Sequence, residues 1–90
     1  MNDEFTVYVL YSLKFDQIYI GYTSNLINRY HSHNFLSTKG YTIKYRPWLV
    51  AYTEIYDSKA DAMKREKQLK SGKGRQFLRD YIKKHKIYWV

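Results

Sequence analysis

The first third of the chain carries four polar side chains whose types and spacing could do chemistry together. Tyr8 and Tyr19 lie in two short alternating apolar segments, while Arg29 and His33 lie four residues apart in LINRYHSHN. Phenol and imidazole groups exchange protons, and a guanidinium group pairs with anions. A lone inward histidine or a lone arginine is usually structural or solvated. The pairing of both at helical spacing, opposite two tyrosines, favours a functional site.

Glu66 is a fifth candidate because its carboxylate points where a core should be. In the predicted helix over 59–71, Ala62, Met63 and Leu69 form the inward stripe, and Glu66 falls within it, about 60° from Leu69. The basic residues around it are expected to face outward: Lys64, Arg65, Lys67 and Lys70. An inward carboxylate is unfavourable unless it is paired, hydrogen-bonded or bound to a metal. A salt bridge to a nearby Lys or Arg is the structural alternative.

A β-hairpin must position the two tyrosines. Residues 5–12 and 17–22 alternate with period two, and the loop 14–17 joins them, which predicts antiparallel strands. If paired residue numbers sum to an odd value, Tyr8 and Tyr19 share one face, directly opposite or one diagonal step apart. Gly21 at the strand end suits a bulge, a plain strand exit, or the close approach of another backbone.

The remaining elements follow from periodicity and capping residues. A helix is predicted from Asn25, with Thr23, Ser24 or Asn25 as N-cap and Leu26, Tyr30 and His33 on its inward stripe. Residues 36–47 are predicted to be a loop, and 48–56 a central strand buried on both faces. A further helix over 59–71 is capped by Asp57 or Ser58, residues 71–74 break it, and a last helix over 75–85 turns Phe77, Leu78, Tyr81 and Ile82 inward.

Composition indicates one small globular domain over residues 1–90. Aromatic residues make up 19% and hydrophobic residues 44% of the chain, which is typical of folded rather than disordered proteins. The absence of cysteine excludes disulfides and thiolate zinc sites. Asp3 and Glu4 occupy the region where a signal peptide carries positive charge, and no apolar run approaches a membrane span. We therefore expect a soluble cytoplasmic protein.

Charge points to a polyanionic partner. The net charge is +8, and residues 48–90 hold eleven Lys or Arg against five acids, whereas residues 1–47 hold five against three. In the segment 36–47, Lys39, Lys44 and Arg46 interleave with Tyr41 and Tyr45, an alternation that suits phosphate contacts and base stacking. A solvated lysine-rich surface is the alternative interpretation of the same charge.

Taken in order, these motifs resemble the GIY-YIG nuclease superfamily, in particular its small single-domain bacterial members. The matching segments cover about residues 5–83: Thr6-Val7-Tyr8, Tyr19-Ile20-Gly21, Arg29 with His33 and Asn34, Lys39 to Pro47, and Arg65-Glu66 with Leu69-Lys70. Thr6 stands where the family's name has glycine, and a strand tolerates threonine well.

The resemblance implies an α+β fold, with a three-stranded antiparallel sheet flanked by three helices, and a metal-dependent endonuclease that hydrolyses phosphodiester bonds in DNA, with RNA as an alternative. It implies that Glu66 holds one Mg²⁺ or Mn²⁺ and that Arg29 stabilises the phosphate charge. Tyr8 would activate the attacking water, and Tyr19 and His33 would position water or phosphate, or share the proton. His33, with an ordinary pKa nearer neutrality, is the alternative base.

The expected nucleic-acid contacts are Lys39, Lys44, Arg46, Lys70, Lys73 and Arg75. Since ninety residues leave no room for a separate DNA-reading domain, recognition would rest on substrate shape or on a protein partner. Two other functions fit the residues: a non-catalytic nucleic-acid-binding module with the same fold, and a protein-interaction module that docks through exposed tyrosines and the tail KIYWV.

Overall fold

Three antiparallel strands form one sheet in the order β2-β1-β3. The computed structural model describes residues 4–36 and 40–85. The strands are β1 (Phe5–Ser12), β2 (Gln17–Thr23) and β3 (Leu49–Tyr56). Helices cover both faces of the sheet, which confirms the α+β fold that the family resemblance implied.

The central strand is β1, not β3. Residues 7–12 of β1 are all buried, because helices pack on one side of this strand, and Leu26, Tyr30, Tyr45 and Trp48 pack on the other. On β3, Val50 and Ile55 are 41% and 62% exposed. The prediction of a central strand over 48–56 is wrong, because an apolar segment at a sheet edge has only one strand to pair with and keeps part of its surface in water.

The hairpin register confirms that Tyr8 and Tyr19 share a face. Tyr8 pairs with Gly21 and Leu10 pairs with Tyr19, so the paired numbers sum to an odd value and the tyrosines lie one diagonal step apart. The turn ends at Asp16, which has a positive φ of 53°. Its carboxylate accepts hydrogen bonds from Tyr11 at 2.8 Å and from Arg79 at 2.7 Å, which ties the turn to the last helix.

Four α-helices complete the described part of the chain: α1 (Leu26–His31), α2 (Tyr41–Lys44), α3 (Lys59–Lys70) and α4 (Gly72–Lys84). Asn25 caps α1 by accepting from the backbone N–H of Asn28, and Ser58 caps α3 in the same way. A π-helical turn, Ser32–Leu36, continues α1. The single turn α2 lies in the segment predicted to be a loop.

Helix α4 begins at Gly72 rather than near residue 75, so Ser71 alone separates it from α3. A Cβ at Gly74 would lie 2.5 Å from the Leu69 Cα. Glycine there lets the first turn of α4 pack directly on the end of α3.

Two apolar clusters lie on opposite faces of the sheet. The larger contains Val7, Val9, Leu69, Leu78 and Ile82, contributed by the sheet, α3 and α4. The smaller is built from Tyr8, Leu10 and Trp48, with residues of β2 and α1 around them. Within the described residues, no helix combines the length and apolarity needed to cross a membrane.

Two residues expected on the inward stripes are exposed instead, Met63 and Phe77. Each lies one position from the true stripe of its helix, which Ala62 and Leu69 define in α3 and Leu78 and Ile82 define in α4.

Candidate active site

The phenol of Tyr8 lies across Gly21 on the face of the smaller cluster. A Cβ at residue 21 would lie 2.6 Å from the Tyr8 hydroxyl and 2.8 Å from Cζ, distances that real Cβ atoms do not show. Gly21 therefore makes room for a side chain of the neighbouring strand. Gly21 is regularly paired with Tyr8 in the hairpin, so there is no bulge at this position.

His33 meets Tyr8 at the centre of the site. The Tyr8 hydroxyl lies 2.9 Å from His33 Nε2, and the imidazole packs edge-on against the Tyr19 ring at 4.6 Å between centroids. His33 is 5% exposed. Burial, followed by the charges of Arg29 and Arg46, lowers the pKa of His33 to about 4. The imidazole is consequently neutral at neutral pH.

Arg29 provides the positive charge beside this pair. It lies in α1 and is exposed, and hydrogen bonding to the Tyr8 hydroxyl raises the pKa of its guanidinium. Burial raises the pKa of the Tyr8 phenol above 10.0, and the hydrogen bond from Arg29 opposes this effect only in part. The arrangement that fits a neutral imidazole has the Tyr8 O–H donating to His33 Nε2, with Arg29 lining the same hollow as His33.

The π-helical turn that carries His33 is held by two residues to which sequence reasoning gave other roles or none. Arg46 donates from Nε to the His33 carbonyl at 2.6 Å and from Nη2 to the Ser32 carbonyl at 3.1 Å. The Asn34 amide accepts from the Trp48 N–H at 2.6 Å and donates to the Trp48 carbonyl at 3.0 Å. Such turns are rare and are frequent at functional sites.

Glu66 is mostly but not fully buried. Its side chain is 18% exposed, and Oε2 lies 3.3 Å from Lys70 Nζ, one helical turn on. The structural alternative for this inward carboxylate, an ion pair with a neighbouring lysine, is therefore present. The charge of the same carboxylate is the smallest of the causes that raise the pKa of the Tyr8 phenol, after burial and the charge of Tyr19.

A second carboxylate, which the sequence gave no reason to select, anchors the helix that bears Glu66. Glu54 of β3 receives a forked pair of hydrogen bonds from Arg65, at 2.9 Å from Nε and 3.0 Å from Nη2. The hydroxyls of Tyr52 and Tyr56 also donate to it. The prediction that Arg65 faces outward is wrong, because this guanidinium crosses to the sheet and is only half-exposed.

The predicted nucleic-acid contacts occupy three different environments. Lys70 and Arg75 line a groove along the outer edge of β2 together with Tyr19 and Tyr41. Lys44 and Lys73 are exposed. Arg46 is directed inward at the carbonyls of Ser32 and His33, and Lys39 lies outside the described residues.

Comparison with known proteins shows the family to which the chain belongs. The model of the GIY-YIG catalytic domain matches residues 4–81. The chain belongs to the GIY-YIG catalytic domain family. That membership supports a nuclease-type function at the coarse level, and it confirms the resemblance drawn from the motifs.

The most similar GIY-YIG relatives include proteins named only UPF0213. The Staphylococcus haemolyticus protein is 36% identical over 73 residues, covering 81% of this chain and 88% of the relative. The Limosilactobacillus reuteri protein is 34% identical over 85 residues, covering 89% and 88%. A solution NMR structure of a UPF0213 protein from Bacillus halodurans superposes with a TM-score of 0.52 at 26% identity, covering 86% of this chain and 83% of the other. The similarity thus extends over most of each of these chains, and the fold is shared with the Bacillus halodurans structure.

Proposed function

We propose that this GIY-YIG domain is a divalent-metal-dependent endonuclease that hydrolyses phosphodiester bonds in DNA. The observation that carries the proposal is the hydrogen bond between Tyr8 and the neutral imidazole of His33, in a site whose hollow Arg29 also lines; the charges of Arg29 and Glu66 both act on the pKa of the Tyr8 phenol. A proton-transfer pair, an anion-binding fork and a carboxylate together match the needs of phosphoryl transfer to water.

Tyr8 and His33 act as one proton relay in this proposal. At neutral pH the Tyr8 hydroxyl keeps its proton because its pKa is raised, and His33 Nε2 is free to accept because its pKa is about 4. When a water molecule attacks phosphorus, its proton passes to the Tyr8 oxygen while the phenol proton passes to His33 Nε2. In this proposal Tyr8 and His33 therefore share the role of general base.

Arg29 stabilises the charge that builds on the phosphate. A guanidinium presents planar donors that match two oxygens, and Arg29 is exposed enough to leave part of its fork available to a ligand. Tyr19 closes the other side of the site by packing against His33. We assign Tyr19 to orienting the phosphate and the attacking water.

Glu66 would hold the Mg²⁺ or Mn²⁺ ion that GIY-YIG nucleases typically use. No cluster of three His, Cys, Asp or Glu side chains is found in residues 4–36 and 40–85, which argues against a closed protein cage there. A single carboxylate, partly exposed at 18%, fits an ion that keeps most of its waters and is completed by substrate phosphates. When bound, the ion supplies charge stabilisation at the phosphate oxygens.

Incubation of plasmid and branched DNA with Mg²⁺ or Mn²⁺ tests the proposal. Wild-type protein is expected to nick both, and Glu66→Gln, which keeps the shape of the side chain but removes its charge, is expected to lose at least 100-fold in rate. Lys67→Met is the control on the adjacent residue and should retain cleavage. Equal digestion by wild type and Glu66→Gln would mean that the cleavage is contamination, and the proposal would fail.

A second function, a nucleic-acid-binding module that does not cleave, is favoured by one observation. Lys70 already neutralises Glu66 at 3.3 Å, so the carboxylate has a partner without any metal. Salt-sensitive binding with no turnover in any divalent metal would select this alternative. Both assays are run with RNA as well as DNA, and the nucleic acid that is bound or cleaved is the one that the protein recognises.

The lack of cysteine supports the cytoplasm as the compartment.

A further inference from the structure

The groove along the outer edge of β2 shares Tyr19 with the site described above and extends beyond it. Its lining includes Tyr19, Tyr41, Lys70, Arg75 and Arg79, and its volume is about 320 Å³. We name it the β2-edge groove. A smaller hollow of about 200 Å³, lined by Arg29, His33, Tyr19 and Tyr41, lies beside it. Since Tyr19 and Tyr41 line both, the groove adjoins the candidate active site.

The charged side chains that line the β2-edge groove are all cations. Three cations and no carboxylate are among the described side chains that line it. The acids that border the groove are engaged with those cations: Asp16 with Arg79 at 2.7 Å, and Glu66 with Lys70 at 3.3 Å. A concave surface of this kind recognises a chain of phosphates. Arg79 was not among the contacts expected from the sequence.

Lys70 connects this groove to the candidate metal ligand. Its side chain is 46% exposed and lines the groove, whereas the Glu66 side chain that it contacts is 18% exposed. A divalent cation at Glu66 needs the carboxylate oxygens that Lys70 now neutralises, so the ammonium group and the metal ion compete for one site. The long flexible stem of lysine allows the displaced ammonium to turn into the groove.

We propose that the β2-edge groove binds the phosphodiester backbone beside the scissile phosphate, and that Lys70 is an exchangeable counter-ion, held by Glu66 before the metal binds and by a backbone phosphate afterwards. This inference rests on the proposed function and adds a regulatory step to the same site. The metal and the nucleic acid then help each other to bind, because each removes the partner that opposes the other. Thermodynamic linkage makes this coupling reciprocal.

Metal binding without nucleic acid provides the first measurement. Mn²⁺ affinity is read by electron paramagnetic resonance or calorimetry on wild type, Lys70→Met and Lys67→Met. Lys70→Met is expected to bind Mn²⁺ about two- to fivefold more tightly, since a half-exposed ion pair opposes the metal only modestly. Lys67→Met removes the same charge from the residue next to Glu66. Lys67 lines a different hollow, together with Ala60 and Met63, so this variant should change the Mn²⁺ affinity less than twofold.

Nucleic-acid binding provides the second measurement, made on the Glu66→Gln background so that no cleavage intervenes. Fluorescein-labelled DNA and RNA of the same sequence are titrated at several salt concentrations. Lys70→Met and Arg75→Gln are each expected to weaken binding and to reduce the salt slope by about 0.7–0.9, and Lys67→Met should leave the slope unchanged. The nucleic acid with the larger loss is the one whose backbone the groove takes.

The two readouts move in opposite directions for Lys70→Met, a pattern that a simple loss of helix stability does not produce. If Lys70→Met leaves the Mn²⁺ affinity unchanged, Lys70 is not the exchangeable counter-ion. If Lys70→Met and Arg75→Gln both leave the salt slope unchanged, the β2-edge groove is not the binding site for the nucleic acid. Neither readout requires turnover. If both effects are measured but no cleavage is seen, the groove remains the binding site and the proposed endonuclease activity is wrong.

Discussion

At the scale of single residues, the site depends on a close fit between Tyr8 and a residue without a side chain. The phenol oxygen has a hydrogen-bond partner at 2.9 Å in His33 Nε2, and the ring reaches it by lying over Gly21. Space and hydrogen bonding are therefore linked, because any atom added at residue 21 pushes the hydroxyl away from its partner.

Replacing Gly21 with alanine is expected to disturb this fit. The new Cβ would lie 2.6 Å from the Tyr8 hydroxyl, and since Tyr8 is 1% exposed the ring has little room to move. We expect a loss of about 1–3 kcal/mol in the free energy of unfolding, typical of overpacking, with cleavage reduced by at least tenfold. Urea denaturation measures the stability, and the nicking assay measures the cleavage.

Gly72→Ala is the control, since no atom lies within 4 Å of the added Cβ, and it should be neutral or slightly stabilising. Equal losses in Gly21→Ala and Gly72→Ala would contradict the explanation by overpacking against Tyr8.

The acid–base behaviour of His33 provides a second prediction. Its pKa is lowered to about 4 by burial and by the charges of Arg29 and Arg46. Between pH 6.5 and 4, therefore, the imidazole is protonated in the unfolded chain and neutral in the folded protein. This contribution to stability, about 3 kcal/mol, is present above pH 6.5 and declines as pH falls towards 4. NMR titration of the imidazole should place its midpoint near 4.

Arg46→Gln removes one of the charges that lower the pKa of His33 and the fork that holds its backbone, so the same titration should show a midpoint shifted towards 6.5. Arg75→Gln removes an equal charge elsewhere and is the matched control. A midpoint near 6.5 in the wild type would show that His33 is not buried as described and would remove the neutral acceptor from the relay.

The relay itself makes a third prediction at this scale. If Tyr8 and His33 pass one proton between them, either Tyr8→Phe or His33→Gln alone should lower kcat by about 10²–10⁴-fold. The double variant should then be little worse than the more severe single variant. Additive losses in the double-mutant cycle would mean that the two side chains act independently.

Individual residues also show where sequence reasoning succeeds. Tyr8, Tyr19, Arg29 and His33 were predicted to converge because two short-range periods, two for a strand and about 3.6 for a helix, fix which face each occupies. The internal role of Arg46 has no such signal. Its described partners are backbone carbonyls thirteen and fourteen residues away, and only the folded chain brings them within reach.

At the scale of elements, the placement of Glu66 depends on how α3 is attached to the sheet. Arg65, the residue before Glu66, forks onto Glu54 of β3, and Leu69 packs into the larger cluster. These two attachments fix the rotation of α3 about its axis, and hence the direction in which the Glu66 carboxylate leaves it.

Glu54→Gln is expected to loosen α3. Burial alone would raise the pKa of Glu54, but hydrogen bonds from Arg65, Tyr52 and Tyr56 hold it below the usual value. A carboxylate whose pKa is depressed on folding stabilises the protein above its unfolded pKa, and this contribution is lost as pH falls through the folded pKa. We expect a loss of about 1–3 kcal/mol at pH 7, shrinking towards zero in strong acid. Urea midpoints across pH measure it, with exposed Glu4→Gln as control; a loss independent of pH would contradict the ionised network.

The strand β3 shows why element order was harder to predict than element existence. Its apolar run, LVAYTEIY, is what a central strand would carry, and the strand lies where it was predicted within one residue. Whether an apolar strand lies at the centre or the edge depends on which neighbours pair with it. Here β1 pairs with both other strands, a long-range fact that local composition does not contain.

At the scale of the whole molecule, the sheet separates a core that provides stability from a smaller cluster that shapes the site. The larger cluster joins β1, α3 and α4, while Trp48 on the other face holds its indole N–H against the Thr42 carbonyl at 2.8 Å. For a domain of this size the total free energy of unfolding is on the order of 5–13 kcal/mol. One large core side chain is thus a sizeable share of it.

Leu78→Ala tests this separation. Leu78 is fully buried in α4, and its truncation should cost about 2–5 kcal/mol, lowering the urea midpoint well below that of wild type. Its cluster lies on the opposite face of the sheet from Tyr8 and His33, so in conditions where the variant is still folded the His33 midpoint should match that of wild type. Ile55→Ala, at a position 62% exposed on the edge strand, is the control and should change stability by less than about 0.5 kcal/mol. A shifted His33 midpoint in folded Leu78→Ala would mean that the two faces respond as a single unit, because the change in packing would then have passed through β1 into the site.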